Sequence, residues 1–204
     1  MYDDIFKTYP LLTTMSKLRA ARFTASERLG KKYRWHSIAL VVFSIYAIAL
    51  TIAPNFFTNI DESIKSILSY ASVVSSVFVV ALSMYLAFSE DIVRGKYLHD
   101  NAKQVTNLYQ ELKTRSILQK TKPKVKINIV DYESRYARIM DSCPYNHDIL
   151  DYEFSMMTNE GADSCKSFGI KFRMSMDKYA WPLVAIIAPP IVLMICIAIN
   201  LNMN

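Results

Sequence analysis

Three histidines, three cysteines and a short acidic run hold the chain's conventional reactive groups, and their spacing supports little catalysis. His36, His99 and His147 are isolated from one another in the sequence. His147 stands beside Asp148 and near Asp151, and a single imidazole beside acids reads as a cap or hydrogen-bond partner. Cys143, Cys165 and Cys196 form no C-x-x-C pair, so no zinc site is expected. The chain's four glycines build no phosphate loop, and neither G-x-S-x-G nor H-E-x-x-H occurs. The expectation is a protein that is not an enzyme and carries no catalytic residue, metal or cofactor.

What remains is a chemistry of hydroxyls. Ser69, Ser72, Ser76 and Ser83 recur at steps of three, four and seven, which places them on one stripe of a helix. Val73, Val77, Val80 and Leu86 take its other faces. Small hydroxyl residues let helices approach closely in lipid and bond across an interface. The same stripe would also serve as the polar lining of a water-filled pore, which one helix cannot enclose, so that reading demands an oligomer.

The stripe lies in a stretch built for a membrane. No charged side chain occurs from Trp35 to Ile60, nor from Ser66 to Ser89. A spanning helix needs about 20 mostly apolar residues, and both runs meet that length. Pro54, Asn55 and Asn59 suggest a turn between them. A third charge-free run, Tyr179 to Asn204, follows Lys171, Arg173 and Lys178, with Pro182 suited to its first turn. Pro189 and Pro190 near its middle remove backbone donors and predict a kink. The chain is therefore read as an all-α membrane protein in four parts. Residues 1–34 form a cytoplasmic amphipathic helix. Residues 35–89 form a transmembrane hairpin with spans at about 36–53 and 66–88. Residues 90–178 are cytoplasmic helices, and 179–204 a third transmembrane helix.

Charge sets the expected orientation. The 204-residue chain carries +6, and residues 1–35 hold eight Lys/Arg against three Asp/Glu. Lys/Arg excess marks the cytoplasmic flank. This puts the N-terminus inside, the loop near residues 54–65 outside, and the C-terminus in the periplasm of an inner membrane. The excess also suits anionic headgroups. Direct nucleic-acid binding is not expected, since no base-reading motif accompanies the charge. The first apolar run starts too deep and is too long for a signal peptide. Cys143 and Cys165 fall on the side where thiols stay reduced, so no disulfide is expected.

The flanking segments show helical periodicity. From Thr13 or Thr14, a possible cap, Met15, Leu18, Ala21, Ala25 and Leu29 recur at helical spacing, with Arg19, Arg22, Glu27 and Arg28 on other faces. This helix either packs on the cytoplasmic helices or lies on the membrane. Leu98, Val105 and Leu112 are seven apart and form a seam for the N-terminal helix or for a second copy of the chain, an oligomer seam in the latter case. Gly95 weakens the start of that helix. Lys120 to Lys126 reads as a loop, and Ile129, Tyr132, Tyr136 and Ile139 mark one face of the next helix.

Three segments taken in order resemble a known family. They are LRAARFTASERLGKKYRWHSIAL, then SMYLAFSEDIVRGKYLHDNAKQVTNLYQEL, then YNHDILDY with Asn146, His147, Asp151 and Tyr152. Their order over residues 13–160 resembles the SLATT family, the SMODS- and SLOG-associating two-transmembrane effector domains of prokaryotic conflict systems. The third span departs from a two-span pattern and fits a subfamily found beside reverse transcriptases in phage-defence loci. The resemblance implies a homo-oligomeric effector in the lipid bilayer that perforates or depolarises the host membrane when a partner senses infection. That partner would be a reverse transcriptase or a nucleotide-signal system, and the outcome abortive infection. It supplies no catalytic residues. The competing reading is a membrane-anchored sensor or adaptor whose cytoplasmic helices recruit another protein.

Overall fold

In the computed structural model the described residues are 6, 8–56, 61–122, 126–160 and 164–203, and no strand occurs among them. Six helices follow in order among these residues: α1 Pro10–Phe56, α2 Glu62–Phe88, α3 Asp91–Thr121, α4 Ile129–Asp141, α5 Ile149–Glu160 and α6 Ser164–Met203. The chain divides into two compact units. One joins Met1–Gly30 to Asp91–Met174, and the other joins Lys31–Glu90 to Ser175–Asn204.

α1 starts earlier than the threonines suggest. Proline at the first helical position has the right φ and no amide to satisfy, and Leu12 N–H donates to Tyr9 O at 3.0 Å. Thr14 is therefore inside the helix, its hydroxyl donating to Pro10 O at 3.3 Å rather than capping. At the other end α1 continues to Phe56 and carries Pro54 in its last turn, past the expected end of the first span. The remainder of the expected turn, including Asn59, lies outside the described residues, as does Pro123 to Val125 of the basic loop.

The first unit closes around a seam between α1 and α3. Val105 and Leu112 are fully buried in a cluster with Leu12, Met15, Leu108, Tyr109 and Tyr132. Leu98 is fully buried with Ala25 and Leu29. Leu98, Val105 and Leu112 thus pack on the chain's own N-terminal helix, the first of the two partners their spacing allows. Fully burying each such side chain contributes about 1.5–3 kcal/mol. α1 and α3 pass close to each other at Gly95, where an added Cβ would sit at ordinary contact, 3.5 Å, from both Leu29 Cβ and Ser26 O. α4 is tied to α3 by a fork of Arg135 on Glu111, at 2.7 and 3.2 Å, and by the Tyr132 hydroxyl on Glu111 Oε1 at 2.9 Å.

The second unit contains the hairpin. Ala39, Phe43 and Ala47 are the buried apolar positions of α1 here, at steps of four that suit one helix face. α2 buries Leu68, Ser75 and Leu82, seven apart. Phe43 stacks on Phe78 with ring centroids 6.1 Å apart, and Thr51 Oγ1 bonds Ser72 Oγ at 2.6 Å. Two helical stretches are long and apolar enough to cross a membrane, Pro10–Ala53 and Glu62–Thr121, each with an 18-residue window of mean hydropathy 2.1. Only 22% and 11% of those windows is buried. The core helix of a soluble protein would bury most of such a window, whereas a lipid-facing helix leaves it outward. Trp35 meets Tyr179 edge to face at 5.2 Å, at the boundary where both charge-free runs begin.

Candidate functional site

The family-like motif is organised around a buried carboxylate. α4 ends at Asp141, the chain passes Pro144, and α5 starts at Ile149. Asp151, in the first turn of α5, reaches back to accept the Asp148 backbone N–H at 3.2 Å, one half of a capping box. The same carboxylate is fully buried and receives the Arg28 fork, Nε on Oδ1 at 2.8 Å and Nη2 on Oδ2 at 3.0 Å. Bidentate guanidinium–carboxylate pairs are among the strong, directional hydrogen bonds.

Asp148 joins the same guanidinium through Oδ2, and its Oδ1 meets Arg94 Nη2 at 3.3 Å. Arg94 also donates to Asn146 O at 2.8 Å, so two arginines from two helices hold the 146–148 backbone. Burial pushes the Asp148 carboxyl up, but hydrogen bonding from Arg28 and the charges of Arg28 and Arg94 outweigh it and hold the group below its ordinary value.

His147 has a different position. Its backbone N–H donates to Asn146 Oδ1 at 3.0 Å, and its ring lies 6.3 Å from the half-exposed Tyr152 ring. Nδ1 is buried without a hydrogen-bond partner. Burial, with the charge of Arg22, lowers the imidazole pKa against the opposing pull of Asp151 and Asp148. The four motif residues are thus brought together, but with distinct duties. Asp151 is a structural anchor, Asn146 a loop-shaping acceptor, and His147 and Tyr152 a ring pair at the surface of the clamp.

The three-and-four spacing puts Arg22 and Arg28 on faces of the N-terminal helix other than the Met15–Leu29 stripe. Both are buried, at 2% and 5% exposure. Arg22 Nη1 donates to Asn101 Oδ1, and Asn101 Nδ2 donates to Ile139 O at 2.5 Å, a polar relay across α1, α3 and α4. The signal was present: Met15, Arg22 and Leu29 are seven apart, so Arg22 belongs to the packing face. Burial lowers the Arg22 pKa, and its Nε has no hydrogen-bond partner. A buried polar pair inside an apolar seam fixes the register of two helices.

On the hairpin, the serine stripe is not the packed face of α2. Ser69, Ser76 and Ser83 are exposed, and Ser72 at the edge of the packed face is half-buried against Thr51. Ser76 Oγ returns to Ser72 O at 2.9 Å and Ser83 Oγ to Val80 O at 2.8 Å. Val73, Val77 and Val80 are exposed as well. The serine that packs in the hairpin is Ser75, whose place between Leu68 and Leu82 at seven-residue steps was the available clue. Among the described residues no group of three His, Cys, Asp or Glu side chains could hold a metal ion.

Comparison with curated proteins finds no match, and comparison with solved structures finds none. A family model does match, over residues 9–196, and it describes the SMODS and SLOG-associating 2TM effector domain family 5. The match takes in the Arg28–Asp151 clamp, the hairpin and most of α6. The chain therefore belongs to the SMODS and SLOG-associating 2TM effector domain family 5, a membrane effector family of defence systems.

Proposed function

We propose that this protein is an anti-phage effector of the bacterial inner membrane that assembles as a homo-oligomer and permeabilises or depolarises that membrane on activation. The observation that carries the reading is the outward face of α2. Ser69, Ser76 and Ser83 of its hydroxyl stripe and Val73, Val77 and Val80 are all exposed, while only Leu68, Ser75 and Leu82 are buried among the described positions of the helix. Copies arranged with the stripe inward would present hydroxyls to water and valines to lipid. The charge-free run 179–204 on α6 serves as a third crossing. The Lys/Arg-rich flank keeps the N-terminus in the cytoplasm and sends the C-terminus to the periplasm. A regulatory partner, a reverse transcriptase or a nucleotide-signal system, releases the assembly and the outcome is abortive infection.

Dye uptake and membrane potential in cells expressing the protein test the reading. Ser76→Val removes a hydroxyl with little added bulk, so it is expected to assemble normally and lose permeation by favouring dewetting. If Ser76→Val, Ser69→Val and Ser83→Val permeabilise like wild type, the serine-lined path is wrong.

A membrane-anchored adaptor is the second reading. It is favoured by the exposed Ile92, Val93, Tyr97 and Ile149 beside the clamp, apolar surface outside the charge-free runs that a partner protein could cover. Wild-type cells that bind a partner without loss of membrane potential would select it.

A further inference from the structure

The second unit contains a cavity of about 450 Å³, a size typical of small-molecule sites. Phe78, Ala81, Leu82 and Tyr85 of α2 form one wall, and His36 of α1 lines it as well. Lys32 and Asp177 stand at its rim, where each already holds an interaction of its own. His36 follows Trp35, the first residue of one charge-free run, and Tyr85 lies four residues before Ser89, the last residue of the other. Their rings meet with centroids 5.5 Å apart. The mouth of the cavity is therefore at the boundary of the two apolar runs. From Tyr85 to Phe78 the wall descends seven residues, roughly 10 Å of helix, into the hydrocarbon zone.

His36 is 5% exposed, and its Nδ1 is 2.7 Å from Lys32 O. A carbonyl oxygen only accepts, so Nδ1 carries the proton and the neutral ring presents a lone pair at Nε2. Nε2 has no hydrogen-bond partner among the described residues, yet it is not sealed from open space. The open space that this ring lines is the cavity. A ligand there meets one acceptor on a buried ring and two half-exposed aromatic rings, Tyr85 and Phe78. The acceptor selects a hydroxyl, the ring faces select a flat aromatic body, and the descending wall selects a hydrocarbon tail. An isoprenoid hydroquinone joins all three. Its oxidised form, a quinone, carries carbonyls in place of the hydroxyls, which sets lone pair against lone pair at Nε2. We propose that this cavity binds the head of a membrane hydroquinone in preference to its quinone, with one hydroxyl donating to His36 Nε2, the ring against Tyr85 and the tail along Ala81 and Phe78. The site needs no charge from the rim. The inference rests on the membrane placement of the hairpin, not on permeabilisation.

The test titrates the full chain in mild-detergent micelles, anaerobically at about pH 8, where an imidazole is neutral. The probes are decylubiquinol and decylubiquinone, and bound ligand is extracted and quantified against empty micelles. The quinol is expected to bind about fivefold more tightly, the scale of one hydrogen bond. His36→Phe keeps a ring and removes the acceptor, so it is expected to bring the two forms to parity. Ala81→Phe is expected to abolish binding of both by filling the cavity. Circular dichroism confirms that each variant folds. Should either fail to fold, histidine-selective nitrogen NMR decides, with His36 assigned by exclusion in His99→Gln and His147→Gln. The quinol and not the quinone is expected to shift the His36 Nε2 resonance, and an unmoved resonance overturns the proposal. Equal affinity for the two forms overturns it too, as does a quinol preference that survives in folded His36→Phe. Displacement of the quinol by equimolar 1-dodecanol also overturns it, because the cavity would then read a hydroxylated chain and not a ring. Binding is measured apart from dye uptake, so a quinol-selective protein that does not permeabilise supports this site while refuting the proposed function.

Discussion

Removing Arg28 is expected to open the motif loop without unfolding the rest of the chain. The Arg28 side chain is 6% exposed and that of Asp151 not at all, so the pair is desolvated on both sides. Breaking a buried pair by removing one partner costs about 3–5 kcal/mol, because the other charge is left stranded. A domain is stable by only about 5–15 kcal/mol, so this is a large fraction of the total. Arg28→Ala leaves Asp151 with only the Asp148 amide, and Arg94 still holds the exposed side of the loop. Hydrogen exchange of segment 142–156, followed by mass spectrometry on the full chain in detergent, reads the opening free energy directly. Protection is expected to fall by at least about a hundredfold. Asp148→Asn removes a half-exposed partner, and is expected to cost under about 1 kcal/mol, less than about fivefold in exchange. The double variant Arg28→Met, Asp151→Leu strands no charge and loses only the Asp148 cap, about 1 kcal/mol. Its protection is expected to lie far closer to wild type than that of Arg28→Ala. If Arg28→Ala and Asp151→Asn each change exchange by less than tenfold, the pair is not desolvated and the clamp argument fails.

The histidine of the motif makes stability depend on pH. The folded pKa of His147 is below its ordinary 6.5, so the unfolded chain takes up the proton first as pH falls. Its contribution is therefore complete above about pH 6.5 and lost as pH drops through the folded value. His147→Gln is expected to flatten that part of a melting-temperature profile, and an unchanged slope would refute the assignment. Gly95→Ala is expected to be tolerated or to stabilise by up to about 1 kcal/mol, since its Cβ meets ordinary contacts at 3.5 Å. Gly95→Ile adds branches against Leu29 and Ser26 and is expected to lower the melting temperature. Thr51→Ala removes the 2.6 Å bond to Ser72 and is expected to cost about 0.6 kcal/mol in the membrane, read by steric trapping of the hairpin. A cysteine introduced at Asn59 is expected to react with an impermeant reagent in intact cells and one at Lys122 to stay unlabelled, and the reverse result would overturn the orientation.

The helices were legible because their causes are local. Length without charge marks the hairpin, and three-and-four spacing marks the packed faces of α1 and α4. Tyr132 was read onto the packing face and is buried, and Met15, Ala21, Ala25 and Leu29 likewise. What the pattern could not say is which surface meets which. Leu98, Val105 and Leu112 announce a seam equally well for a copy or for α1. Periodicity can put a charge such as Arg22 on a packing face, but it does not say which acceptor that charge finds there. The acceptors of Arg28 lie 120 and 123 residues away, and a guanidinium on a helix reads as wet until its carboxylate is located. Asn101 was invisible for the same reason, because its partner Arg22 belongs to another helix.

The long reach of Arg28 has a consequence for the order of events during synthesis. The first apolar run enters the membrane while Asp148 and Asp151 are still untranslated. At about 5–20 residues per second, the 123 residues from Arg28 to Asp151 take roughly 6–25 s to make. Through that interval Arg22 and Arg28 stand hydrated beside the first span, two of the eight basic residues that bias insertion under the proposed orientation. Only when the second apolar run has also emerged can α5 form and draw Arg28 into the interior. Under that proposed orientation the same guanidinium acts first as a topology signal in water and later as a buried tie. A charge-removing substitution at this position would be felt at insertion, before the folded-state contact it destroys has ever existed.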